Sequence, residues 1–206
     1  MTARDEGSAL ILALLAAVLL ASLGAGLVLL GSTEGAIATN FRAGFEARYA
    51  AEAAAERAVE DLLRLDDWTN ALSGAAPSTF VDGTLVPVLA SVRPLDLVGM
   101  TMSLQQQSDL ASSWGANNPQ WRLFAYGPLS AITGTGMVQS PAYLVAWVAD
   151  DPGETDGNPF VDSNARITVI ARSVGLFQST RVVEVTMGRV SSGAAGVRIL
   201  GWREVQ

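Results

Sequence analysis

The stretch SALILALLAAVLLASLGAGLVLLGSTEGAIATNFRAGFEARYAAEAAAERAVEDLLRL, Ser8–Leu65, decides the fold. Its first half, Ala9–Leu30, carries no charged residue over 22 positions and is rich in Leu, Ala and Val. As a helix it is long enough to cross a hydrocarbon core of roughly 30 Å. Such a surface is unfavourable in water, so a transmembrane part is placed at about residues 9–30. Gly24, Gly26 and Gly31 each lower helix propensity by roughly 1 kcal/mol relative to Ala. In lipid the backbone must satisfy its own hydrogen bonds, so the helix survives them.

The second half changes character. Between Ala36 and Leu65, the residues Ile37, Phe41, Phe45, Ala54, Ala58, Leu62 and Leu65 recur at spacings near three and four, while Arg48, Glu52, Glu56 and Glu60 line another side. The run AAEAAAERA, Ala50–Ala58, is built mainly from the best helix former. The residues alone leave two arrangements open: one helix through both halves, or a membrane anchor followed by an unrelated surface helix.

Composition bounds the remainder. The chain has 206 residues, which after the anchor leaves one domain with enough chain for a real core. Twenty acidic residues against 13 basic give a net charge of −7, so no general basic footprint points to nucleic acid. With no Cys and no His, there is no disulfide, no thiolate chemistry and no histidine base or metal ligand. No G-x-S-x-G elbow, phosphate-binding loop or G-x-G-x-x-G is found either, so an enzyme is not expected.

The leader MTARDEG, Met1–Gly7, is polar, carries one Arg against Asp5 and Glu6, and ends abruptly at the apolar run. A secretory signal would have a more basic start and a shorter apolar core. Ala21–Ala25 offers small residues for such a cut, but the apolar run continues past them to Leu30.

Leader and helix together resemble the amino-terminal region of PilX-type minor pilins, in the type IV pilin and pseudopilin superfamily. The features that match are Gly7 immediately before the apolar helix, the Asn-x-Arg of Asn40 and Arg42, and the AEAA run Ala51–Ala54. The similarity is strongest over residues 4–65, continues more faintly through DDWTNALSG, Asp66–Gly74, and reappears in the closing GWREVQ.

The resemblance implies a three-part chain: a prepilin leader at 1–7, a pilin helix at 8–65 and a globular head at 66–206. It implies cleavage by a prepilin peptidase between Gly7 and Ser8, with N-methylation of Ser8. It implies insertion in the bacterial inner membrane as a single pass with the amino terminus cytoplasmic, followed by assembly into a filament at the cell surface or in the periplasm. Other pilin or pseudopilin subunits and the inner-membrane assembly platform are the implied partners, with Leu10, Leu14, Leu19, Leu23 and Leu27 packing in the filament core. Major pilins usually begin the mature chain with Phe and carry Glu at its fifth position; here those positions are Ser8 and Leu12. A carboxylate in lipid is expensive unless paired, and its absence is similar to minor subunits, including the tip pseudopilin of type II secretion. An initiating or tip-proximal place is therefore expected. The contrasting reading is a bitopic extracytoplasmic binding or adhesion protein that is never polymerised.

After Leu65 the helical period stops. Asp66, Asp67, Asn70, Ser73 and Gly74 form a helix-ending cluster. Thr79–Val81 and Thr84–Leu89, joined by Asp82-Gly83, read as a hairpin whose second arm Pro87 marks as an edge. Leu97–Trp114 is compatible with a short helix or a loop. Strands are expected at Trp121–Tyr126, Tyr143–Ala149, Arg166–Val174, Thr180–Val190 and Val197–Arg203. The fold class is α+β, a long amino-terminal helix packed on an antiparallel sheet. Trp147 and Trp202 are read as core or sheet-face residues.

One loop is chemically suggestive. ADDPGETDGNPFVDSN, Ala149–Asn164, gathers Asp150, Asp151, Glu154, Asp156 and Asp162 with two Asn side chains. Clustered hard oxygen ligands on a turning backbone suit Ca²⁺, although the spacing is not that of an EF-hand. The other reading is a solvated acidic turn whose Asp and Asn side chains cap their own backbone. No other cofactor is expected.

Overall fold

A computed structural model describes residues 3–89, 94–111, 113–133, 140–175, 179–190 and 196–205. Met1 and Thr2 of the expected leader, and Ser112 of the Leu97–Trp114 segment, lie outside them. Helix α1 (Ala3–Leu63) runs through both halves of the opening stretch. The chain divides into two compact units, Met1–Arg42 and Ala43–Gln206; the first holds the apolar run Ala9–Leu30 of α1.

The second unit is a five-stranded antiparallel sheet in the order β1-β2-β3-β4-β5, with β1 Arg122–Pro128, β2 Tyr143–Asp150, β3 Arg166–Val174, β4 Thr180–Arg189 and β5 Val197–Val205. All five lie where the β-branched and aromatic runs placed them. Side chains alternate between faces with period two. Leu144, Ala146, Val148, Ile167, Val169, Ala171, Val183, Val185 and Met187 cluster with the carboxy-terminal part of α1. Tyr143, Val145, Trp147, Ala149 and Ile170 form a second cluster with Leu97 of α3 (Leu97–Ala111). With a helix on each face, β2 is buried at all eight positions, which is why it reads as a continuous apolar run rather than an alternating one.

The seam between α1 and the sheet is made of small side chains. Ala47, Ala50, Ala51, Ala54, Ala55 and Ala58 are all buried, with Leu62 closing the row. Ser173 of β3 reaches across it to donate to the Ala47 carbonyl. The expected stripe therefore holds for Ala54, Ala58 and Leu62 and fails for Ile37, Phe41 and Phe45, which are 62%, 67% and 42% exposed. A helix that approaches a sheet closely selects residues without bulk at the contact, whereas periodicity weights the large apolar ones. Arg48 and Glu56 of the charged line are exposed as expected.

The Thr79–Leu89 hairpin does not form. Phe80 and Asp82 instead bond β1 in parallel sense: Tyr126 N donates to Phe80 O at 2.8 Å and Asp82 N to Tyr126 O at 3.2 Å. The carbonyls of Leu85 and Pro87 are taken by the N–H groups of Leu97 and Leu95, each at 3.0 Å. Asp82-Gly83 still turns, with Gly83 at φ +84°, but its two arms find better partners than each other. The first arm covers the outer edge of β1. Leu97–Trp114, compatible with helix or loop, is helical through Ala111 as α3, and Trp147 Nε1 donates to Thr101 Oγ1 on it at 2.7 Å. Among the described residues the unit also holds two short α-helices, α2 (Thr69–Leu72) and α4 (Leu129–Thr133), and a 3-10 turn at Gly115–Asn117.

Candidate functional site

Two places carry the chemistry that the sequence singles out: the apolar part of α1 and the acidic loop between β2 and β3.

In the first unit, Leu10, Leu14, Leu19, Leu23 and Leu27 are between 59% and 70% exposed, and the intervening Leu and Val side chains are equally uncovered. A helix that is apolar all round is suited to lipid or to other helices. By length and composition α1 is able to cross a membrane. Its hydroxyls are already satisfied: Ser22 Oγ donates to Val18 O at 2.8 Å, Ser32 Oγ to Leu29 O at 2.8 Å and Thr33 Oγ1 to Leu29 O at 2.9 Å. No side-chain donor at these positions needs water, which matters where an unbonded polar group costs several kcal/mol. Gly24, Gly26 and Gly31 have open space at the Cβ position. Gly7 and Ser8 are exposed and lie within helical backbone.

In the second unit, three of the five loop carboxylates come together. Asp150, Asp151 and Glu154 are buried, with ligand oxygens within 4.8 Å of one another. Most of these oxygens bond the loop itself. Asp151 Oδ2 accepts from Gly153 N at 3.0 Å and Oδ1 from Asn164 Nδ2 at 2.7 Å. Glu154 Oε1 accepts from Ser163 N at 2.9 Å and Asn164 N at 2.8 Å, and Oε2 from Ser163 Oγ at 2.6 Å. Asp150 Oδ1 accepts from Asp151 N at 3.0 Å. Asp156 stands apart, exposed, and caps the N–H of Asn158 at 3.0 Å. Asp162 accepts from Arg166 N at 3.1 Å beside Ala165, which has φ +60°. That bond helps hold a left-handed conformation unfavourable for a residue with a Cβ.

These bonds are those of a turn capped by its own Asp and Asn side chains. The same trio is the set that could hold a cation, because a carboxylate oxygen has a second lone pair after one bond. Burial, then the nearby Glu154 charge, pushes the Asp150 carboxyl up to about 8. Burial also raises that of Asp162. For Asp150 the sign is clear. Its folded pKa lies above its ordinary value of 3.8, so its contribution to stability is full below that value and is lost as pH rises through about 8. Asp150→Asn keeps an acceptor for the Asp151 N–H and removes the charge. It is expected to flatten the decline of stability between pH 4 and 8 and to gain about 1–3 kcal/mol at the upper end. Urea unfolding at several pH values with a chelator present checks this. Repeating it with millimolar Ca²⁺ separates the two readings of the loop, because only a bound cation raises the wild-type midpoint.

Sequence reasoning passed over two sites. Asp61, near the end of α1, is 5% exposed and accepts from Arg57 Nη2 and Arg64 Nη1, both at 2.9 Å, from Thr79 N at 2.9 Å and from Ser78 Oγ. It ties the helix to the segment beside β1. Arg172 lies inside β3; a cation in the interior of a strand otherwise rich in Ile and Val was the available signal. Comparison with protein-family models, with curated proteins and with solved structures gives no match.

Proposed function

We propose that this chain is a minor pilin or pseudopilin, a structural subunit of a type IV pilus or related filament rather than an enzyme. The observation that carries the reading is the continuity of α1, which supplies an uncovered apolar span and then the backing helix of an antiparallel sheet. In this reading the span first lies in the bacterial inner membrane with its amino terminus in the cytoplasm. The prepilin peptidase cuts between Gly7 and Ser8, Ser8 is methylated, and the assembly platform moves the helix into a filament. Leu10, Leu14, Leu19, Leu23 and Leu27 then exchange lipid for neighbouring subunits' helices at little hydrophobic cost. Leu12, where major subunits carry a carboxylate, supports an initiating or tip-proximal place.

The test is intact mass and amino-terminal sequence of the full chain made with and without a prepilin peptidase. A peptidase-dependent chain beginning at Ser8 is expected. A chain still beginning at Met1 in both hosts makes the protein a bitopic anchor, the adhesin-like alternative, and a cut near Ala21–Ala25 makes it a secreted head; either result ends the filament reading.

A further inference from the structure

Arg172 sits in the interior of β3, opposite Val145 on β2 and Val182 on β4. Its Nε donates to Thr180 Oγ1 at 3.0 Å. Burial lowers its pKa, yet a guanidinium stays charged in proteins. Among the described residues no carboxylate lies within 4 Å of it, although the chain has 20. A half-buried charge carries a desolvation cost that the bond to Thr180 repays only in part.

Arg172 lines a cleft of about 140 Å³ between α3 and the sheet, walled by Met100, Leu104, Trp147, Ile170 and Val182. Ser103 and Gln107 stand at its rim on α3. The space takes about one side chain of Glu or Leu size, judging from cavities of ~150 Å³ that hold a benzene ring. At its other end the cleft reaches Val205 on β5. β5 is an edge strand whose outer side meets no other strand among the described residues. Ile199, Leu200 and Trp202 leave it partly apolar and exposed. β1, by contrast, has its outer edge covered by Phe80–Asp82.

We propose that this cleft is a docking site for an acidic residue carried on an extended apolar segment of a partner protein. The incoming carboxylate bonds the Arg172 Nη groups as a planar fork, the geometry that distinguishes Arg from Lys. Its apolar neighbours cover the Met100 and Leu104 wall and the β5 edge. A protein segment fits better than a small acid because the cleft runs on from Arg172 past Val182 to Val205, so that residues beside the carboxylate meet further apolar wall. The site belongs to the second unit alone, and so stands whether or not the chain enters a filament.

The test is calorimetric titration of the full chain, in detergent, with acetyl-Val-Leu-Glu-Leu-Val-amide and its Gln counterpart. The Glu peptide is expected to bind saturably and about tenfold or more tightly than the Gln peptide, the value of a charged pair over a neutral one. Arg172→Met is expected to make the two peptides alike. Ser103→Trp, a change at an exposed helix position that blocks the rim and leaves Arg172 in place, is expected to abolish binding of both. Equal binding of the two peptides, no heat from either at millimolar concentration, or undiminished Glu-peptide binding by Arg172→Met or Ser103→Trp would each overturn the proposal.

Discussion

Asp61→Ala is expected to destabilise the head by about 3–5 kcal/mol, the range for removing one member of a buried ion pair. The size follows from what is left behind. Asp61 is 5% exposed, and its loss removes at once the carboxylate shared by Arg57 Nη2, the Thr79 N–H and the Ser78 hydroxyl. Arg57 keeps the half-exposed Glu60 carboxylate at 3.0 Å and the Thr79 hydroxyl as partners, but its Nε is already buried without one. For a unit of this size the change corresponds to a fall in melting temperature of about 6–20 °C. Arg64→Ala is the internal control. Its side chain is 55% exposed, so water replaces the lost bond and the cost stays under about 1 kcal/mol. Thermal unfolding of the full chain in detergent, followed by near-UV circular dichroism, reports the head alone, because the apolar part of α1 carries no Trp or Tyr. If the two variants cost the same, Asp61 is not the tie between α1 and the segment beside β1.

Trp68→Ala is expected to cost about 3–5 kcal/mol, as for other large aromatic deletions in cores. Trp68 is 1% exposed and belongs to the cluster that includes Leu62 and Leu72. Two contacts depend on the ring. Its Nε1 donates to the Leu62 carbonyl at 2.9 Å, a second bond to an acceptor in the last turn of α1 that Leu65 N also reaches at 3.2 Å. Its face lies 4.6 Å from the Arg189 guanidinium, and Arg189 in turn donates to Leu65 O. Trp68→Phe separates packing from polarity: it keeps most of the buried area and loses the N–H, for an expected cost of about 1–2 kcal/mol. Chemical denaturation of the two variants checks the order. Equal losses would mean that the indole bond, rather than burial, fixes the end of α1.

These two residues connect the fold to the proposed function. A filament subunit has to keep its head attached to its helix under load, and Asp61 and Trp68 fasten the last turns of α1 to the head. Asp61 lies within residues 4–65, where the resemblance to minor pilins is strongest, and Trp68 in the DDWTNALSG of its fainter continuation. Nothing in their local sequence distinguishes them from a helix-ending cluster of polar residues and an aromatic.

The amino-acid sequence by itself determined the elements that depend on local pattern. A run of 22 uncharged residues has only a helix open to it in lipid, and the β-branched stretches placed all five strands, with Arg166–Val174 matching at both ends. It also located the acidic loop, since charge clustering is visible without coordinates. Tertiary structure alone decided which surfaces meet. Close approach to the sheet chose the alanines of α1 over Phe45, competition for backbone partners took Phe80–Asp82 to the edge of β1 instead of into a hairpin, and burial on both faces of β2 required a helix at Leu97–Ala111. The loop's carboxylates were likewise sorted only in space. Asp150, Asp151 and Glu154 converge while Asp156 turns outward, because the chain brings Ser163 and Asn164 back to bond Glu154. Local propensity acts between neighbours in sequence, whereas packing and desolvation act between neighbours in space, and one chain read along its length carries only the first.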